Sequence, residues 1–142
     1  MSTRCTIHLP KGKSGKEVDV YYHHYDGYPE GVGKILMLVP FTQRTKISSI
    51  AKSFNKHMSY GSVNLEFDHT IKASDSVKMF DEDKRIDNTD LDLHSDIEWR
   101  YRVQEDGSVK ADSINTGETF HLKNETNLAA LIQKFKDADM ED

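Results

Sequence analysis

One cysteine, Cys5, stands in a chain of 142 residues. That excludes an intrachain disulfide and any cysteine-based zinc box, and a lone thiol suits a reducing compartment. Its alternation with Ile7 and Leu9 marks it as a small core hydrophobe rather than a nucleophile, which would need an exposed, electropositive setting. Long apolar runs are also missing. The opening MSTRCTIHLPKG has no signal-peptide core and no run spans a bilayer, so the expectation is a cytoplasmic protein without membrane attachment. Basic clusters are scarce: Lys and Arg total 19 against 24 Asp and Glu, a net charge of −5. Duplex DNA is therefore an unsuitable partner, because it demands clustered cations against phosphates. A small anion held by a few local cations remains compatible. No serine sits in a glycine-flanked elbow. GYPEGVGK matches neither the P-loop nor the dinucleotide spacing, and its Glu30 would repel a phosphate. Internal repeats and low-complexity linkers are absent.

What is present fits one domain with a single core under a strongly charged surface, since 36% of residues are hydrophobic and 30% charged. Residues 3–9 alternate as a strand, with Cys5, Ile7 and Leu9 on one face and Thr6 and His8 on the other. Residues 17–25 do the same after a glycine-bearing loop. Val32, Ile35, Leu36 and Val39 fall on one helical stripe that begins after Pro29 and ends at Pro40. Thr45 is placed to cap a second helix with Ile47, Ile50, Ala51, Phe54 and Met58 on its buried face, stopped by Gly61. Val63, Leu65 and Phe67 alternate again. The stretch 71–93 reads as irregular, with at most a short strand at 77–80. Ile97, Trp99, Tyr101 and Val103 alternate with Glu98, Arg100 and Arg102, and Asp106-Gly107 turns the chain into a partner strand at 108–112. A strand at 119–122 precedes a last helix carrying Leu128, Leu131, Ile132 and Phe135, and the acidic tail from 137 should fray. The expected class is α+β, a mostly antiparallel sheet with helices on one face.

The stretch YYHHYDGYPEGVG, residues 21–33, concentrates two histidines and four tyrosines before a glycine-punctuated turn. On a strand, His23 and His24 point to opposite faces and cannot share one metal without a bulge. His24, Asp26 and Glu30, joined by His94 and Asp96, have suitable ligand chemistry but no ligand spacing. Asp26 also reads as a turn residue bonding its own backbone, and Gly27 as the position of positive φ. Tyr21, Tyr25 and Tyr28 offer faces for stacking. If the Arg100/Arg102 strand lies beside them, cation and ring share one surface; ordinary cross-strand Tyr–Arg pairing accounts for the same residues.

MSTRCTIHL, VYYHHYDGYPEGVGKIL and HSDIEWRYRV together resemble small proteins of phages and bacterial mobile elements. Those share an MSTR-A-T-I start, a Y-x-H-x-D-G-Y-P-E-G-x-G turn and a later H-G-D-I-E-Y-x-Y. Here Ser95 replaces a glycine and Trp99 a tyrosine. The resemblance implies a phage-type context rather than a reaction. The residues singled out as a ligand site are Arg4, His24, Asp26, Tyr28, His94, Asp96 and Arg100. The leading expectation is a non-catalytic binding protein, without cofactor, that captures a nucleotide-like signal or a host protein and so interferes with a host or defence process. The alternatives are a metal-dependent phosphoester hydrolase using the His/Asp set, and a structural or replication accessory acting through oligomer contacts. Self-association is expected because a sheet covered on one face leaves Tyr21, Tyr25, Arg100 and Arg102 on the other.

Overall fold

The alternating segments become strands β1 (Cys5–Pro10), β2 (Glu17–His23), β3 (Glu66–Lys72), β4 (Trp99–Val103), β5 (Val109–Ser113) and β6 (Thr119–Leu122). The computed structural model describes residues 3–12, 15–24, 26–57, 65–78 and 97–140. The six strands form one sheet in the order β3-β2-β1-β4-β5-β6. Every neighbouring pair is antiparallel except the central one: β1 and β4 run parallel, Cys5 opposite Trp99 and His8 opposite Arg102. Consecutive antiparallel strands need only tight turns, whereas a parallel pair needs a crossover. The helices α1 (Lys34–Leu38), α2 (Ile47–His57) and α3 (Ala73–Lys78), together with β3, lie between β1 and β4 in the chain. The last helix, α4 (Glu125–Met140), follows β6.

The core is built from one face of the sheet and the apolar stripes of α1, α2 and α4. Cys5, Ile7, Leu9, Tyr101, Val103 and Val109 meet Val32, Ile35, Leu36, Val39, Ile50, Phe54, Leu128 and Leu131, all buried. Each large aliphatic or aromatic side chain so enclosed contributes about 1.5–3 kcal/mol relative to exposure. The helical stripe at Val32–Val39 is buried as its spacing predicts. Pro29 opens a single wide turn through Gly33 that leads into α1, and the backbone is extended again at Val39, before Pro40.

Arg44 fastens the end of α1. Its Nε donates to the Leu36 and Val39 carbonyls, each at 3.1 Å, and Nη2 to Met37 O at 3.1 Å. Nη1 reaches Gly107 O at 3.0 Å and Lys123 O at 2.8 Å. A helix leaves its last carbonyls without intrahelical partners, and a cation there also opposes the negative end of the helix dipole. One side chain thus closes α1 and ties it to the β4–β5 and β6–α4 connections.

Several boundaries differ from expectation. The helical bonds of α2 start from Lys46 O, which accepts from Ile50 N at 3.2 Å, so Thr45 lies one residue before the capping position. Ile71 and Lys72 complete β3, where Ile71 pairs with Val18. Residues 73–78 are helical rather than irregular, so the strand expected at 77–80 is replaced by helix as far as Lys78. Ala73 N continues the pairing to Lys16 O at 2.8 Å, and the buried Ser76 hydroxyl finds a partner on β1; both bonds favour the helical turn over free coil. Phe67 is 56% exposed, leaning edge-on against Tyr21 at 5.5 Å instead of facing a core. α4 is helical as far as Met140. Met58, Gly61 and Val63 lie outside the described residues.

Candidate functional site

The sheet face turned away from α1, α2 and α4 is polar and, for the most part, buried. Strand alternation sends Thr6 and His8 to this face. The registers then align Tyr22, Thr6, Arg100, Asp112 and Thr119 in one row across the sheet, with Val20, His8, Arg102, Lys110 and His121 in the next. Asp112, with no exposed surface, is the anchor. Its Oδ2 accepts from Arg100 Nε at 2.9 Å and Arg102 Nε at 2.6 Å. Its Oδ1 accepts from Arg102 Nη2 at 3.0 Å and Thr119 Oγ1 at 2.7 Å. Two guanidiniums share one carboxylate. A buried ion pair stands only when its remaining hydrogen-bonding capacity is also met, and four donors saturate the carboxylate.

His8 lies beside this triad. Its Nδ1 is 2.8 Å from Ser76 Oγ of α3 and its Nε2 is 3.4 Å from Thr6 Oγ1. Burial, then the charges of Arg100 and Arg102, then His69 hold its pKa well below the ordinary histidine value, so the ring is neutral. Next to it opens a cleft of about 510 Å³, whose lining includes His8, Ser76, Glu17, Arg102, Glu105 and Lys110. That volume lies within the range of small-molecule sites, roughly 300–1,000 Å³. Asp106 at the mouth accepts from Ser108 N at 2.9 Å and Ser108 Oγ at 2.7 Å, and these bonds lower its pKa.

The conspicuous corner at residues 26–33 is a different place. The positive φ falls on Asp26, at 52°, and not on Gly27. Gly27 is required by packing: a Cβ there would stand 2.8 Å from both Cys5 Cβ and Thr3 O. At Gly31 a Cβ would lie only 2.2 Å from the Asp26 carbonyl oxygen. That carbonyl accepts from Val32 N, Gly27 N donates to Thr3 O, and the buried Tyr101 hydroxyl donates to Gly27 O at 2.6 Å. Burial raises the Tyr101 pKa well above its ordinary value, with Cys5 adding to the shift. The motif residues Gly27, Gly31 and Tyr101 thus form a packed clasp.

Of the residues predicted as a site, Arg4 meets His24 and Tyr28 meets Asp26. Arg4 Nε donates to His24 Nδ1 at 3.3 Å, and the same nitrogen lies 2.9 Å from Tyr22 Oη. Tyr28 Oη donates to Asp26 Oδ1 at 3.0 Å on the surface; this bond, ahead of slight burial, raises the tyrosine's pKa. Arg100 is fully buried against Asp112. His94 and Asp96 lie outside the described residues, as does Tyr25. Among the described residues no group of three or more His, Cys, Asp and Glu side chains is placed to hold a metal ion. His23 and His24 do point to opposite faces: His23 packs edge-on against Phe54 of α2 at 4.9 Å, while His24 meets Tyr22 and Arg4.

The shared surface of Tyr21 with Arg100 and Arg102 does not exist. β1 is inserted between β2 and β4, and its register sets Tyr21 beside Ile7 on the core face and the arginines beside Thr6 and His8 on the other. The surface that motivated self-association is therefore split between two faces, and its arginines are buried.

His8, Ser76, Arg102, Lys110 and Asp112 were missed as site residues. One signal was available: counting outward from the Asp106-Gly107 turn pairs Arg102 with Lys110 and Arg100 with Asp112. No protein-family model matches the chain, and comparison with curated proteins and with solved structures gave no match. Among the described residues, no helix is long and apolar enough to cross a membrane.

Proposed function

We propose that this chain is a small phage-type, non-catalytic binding protein that captures a nucleotide-like molecule in the cleft beside His8 and Arg102 and thereby interferes with a host or defence process. The observation that carries the reading is the fixed guanidinium at the cleft wall. Arg102 is held by both oxygens of Asp112, yet it lines an opening of about 510 Å³. Both His8 nitrogens are engaged and Cys5 is buried on the opposite face, so neither supplies the cleft with a free imidazole base or a thiol nucleophile. The phage context rests on the resemblance of the N-terminal third and of residues 94–103.

A thermal-shift panel of mononucleotides, cyclic nucleotides and nucleosides tests the reading. A ligand at a hundredfold excess over its Kd stabilises the folded state by about 2.7 kcal/mol, which raises Tm by roughly 5–10 °C in a domain of this size. A panel with no shift at millimolar ligand overturns it.

A further inference from the structure

We infer that the cleft selects a ligand with one compact anionic group at one end and N–H donors at the other, a nucleoside monophosphate bearing an exocyclic amine rather than a polyphosphate. This inference rests on the cleft being the binding site. The anion's place is set by Arg102. Its Nε and Nη2 are spent on Asp112, and among the described residues Nη1 has no protein acceptor. Asp112 also holds Arg100, so its single negative charge is shared between two guanidiniums. Arg102 is 9% exposed, and a charge so enclosed attracts an anion more strongly than one in water. Because Asp112 already fixes the guanidinium plane, little side-chain freedom is lost on binding. Lys110 is its cross-strand partner on β5 and lines the same cleft, so a second cation stands beside the first.

The remaining charges in the lining have the opposite sign. Glu17, Glu105 and Asp106 contribute three carboxylates. The Asp106 carboxylate is occupied by Ser108, whereas the Glu17 and Glu105 carboxylates have no ion-pair or hydrogen-bond partner among the described residues. The Glu105 carboxylate reaches the neighbouring loop, since a Cβ on Gly15 would stand 3.1 Å from its Oε1. Carboxylates accept hydrogen bonds from amines and repel further phosphates. One phosphate therefore fits against Arg102 and Lys110, and a triphosphate would extend its additional charges towards acids.

Calorimetric titration of the full chain with AMP, IMP, adenosine and ATP tests this, using wild type, Lys110→Ala and Glu105→Gln. The expected order is AMP tightest, with adenosine about tenfold weaker for lack of the charge-assisted bond. IMP, which lacks the exocyclic amine, and ATP should each bind several-fold more weakly than AMP. Lys110→Ala should weaken AMP roughly three- to tenfold and leave adenosine unchanged, and Glu105→Gln should narrow the gap between ATP and AMP. Both substitutions are at cleft-lining positions away from the core, and a urea melt checks that each variant is folded. Adenosine binding as tightly as AMP, ATP tighter than AMP, or indifference to Lys110→Ala overturns the charge assignment while leaving the cleft as a nucleoside site. Absence of binding by all four ligands overturns both readings.

Discussion

The corner at residues 26–33 and the polar face around Asp112 are built from opposite materials. The corner is chemically showy in sequence, yet its glycines, its strained Asp26 and its Tyr101 clasp serve backbone packing. The polar face is scattered along the chain, yet it gathers two arginines, an aspartate and a histidine under nearly complete burial. The difference teaches that a dense local motif is as compatible with a tight turn as with a site. Charged groups hidden from water are more informative, because each carries a desolvation cost that must be offset by partners.

The largest effect expected belongs to the polar face. Asp112→Ala removes the one carboxylate shared by Arg100 and Arg102 and so breaks a buried ion-pair network, and should cost about 3–5 kcal/mol in urea unfolding. A loss under 1 kcal/mol would break the contrast, since Asp112 would then be dispensable. Next comes the corner: Gly31→Ala forces a Cβ into the Asp26 carbonyl, a backbone atom that cannot turn aside, and should cost about 1–3 kcal/mol. The folded fraction should bind AMP with wild-type affinity, because the corner is not the cleft.

Tyr101→Phe keeps the ring but leaves the Gly27 carbonyl without its buried donor, and should cost about 1–2 kcal/mol by the same melt. His8 sharpens the comparison through pH. Its folded pKa is depressed, so between the ordinary histidine value and that lower value the unfolded chain takes up a proton that the folded chain refuses. The stabilisation is fully present above pH ~6.5 and is lost as pH falls, by up to about 1.4 kcal/mol per unit. Other groups titrate in the same interval, so the measurement is the difference in slope between wild type and His8→Gln from pH 7.5 to 5.5. Equal slopes would remove His8 from the account. Smallest of all, Asp26→Asn and Tyr28→Phe alter an exposed pair and should each stay within about 0.5 kcal/mol and leave AMP affinity unchanged. A lost affinity in either would restore the corner as a site.

Periodicity carried much of the architecture. β6 and the stripes of α1, α2 and α4 are readable from apolar spacing, because one buried face imposes its period on the residues that fill it. Two things escaped. α3 is six residues long with one hydroxyl at a buried position, too little pattern to distinguish from loop. The insertion of β1 between β2 and β4 depends on pairing across most of the chain, which local pattern does not encode. Most of the site was lost with that register: His8, Ser76 and Arg102 come from three elements and meet only because β1 and β4 run side by side. Arg4, His24, Asp26 and Tyr28 were conspicuous by residue type, and the structure pairs Arg4 with His24 and Tyr28 with Asp26. The Arg102–Lys110 and Arg100–Asp112 pairings alone were countable, from their hairpin turn.

The parallel seam between β1 and β4 also has a history in time. β1 meets β2 almost at once during synthesis, but its other neighbour is about 90 residues away along the chain, and ribosomes add roughly 5–20 residues per second. For roughly 5–20 s in each molecule's life, therefore, the strand that ends as the middle of the sheet is an open edge. An unpaired edge accepts any strand presented to it, including the same strand of a neighbouring nascent chain. A strand held on both sides in the finished molecule is in this sense the most vulnerable one during its making.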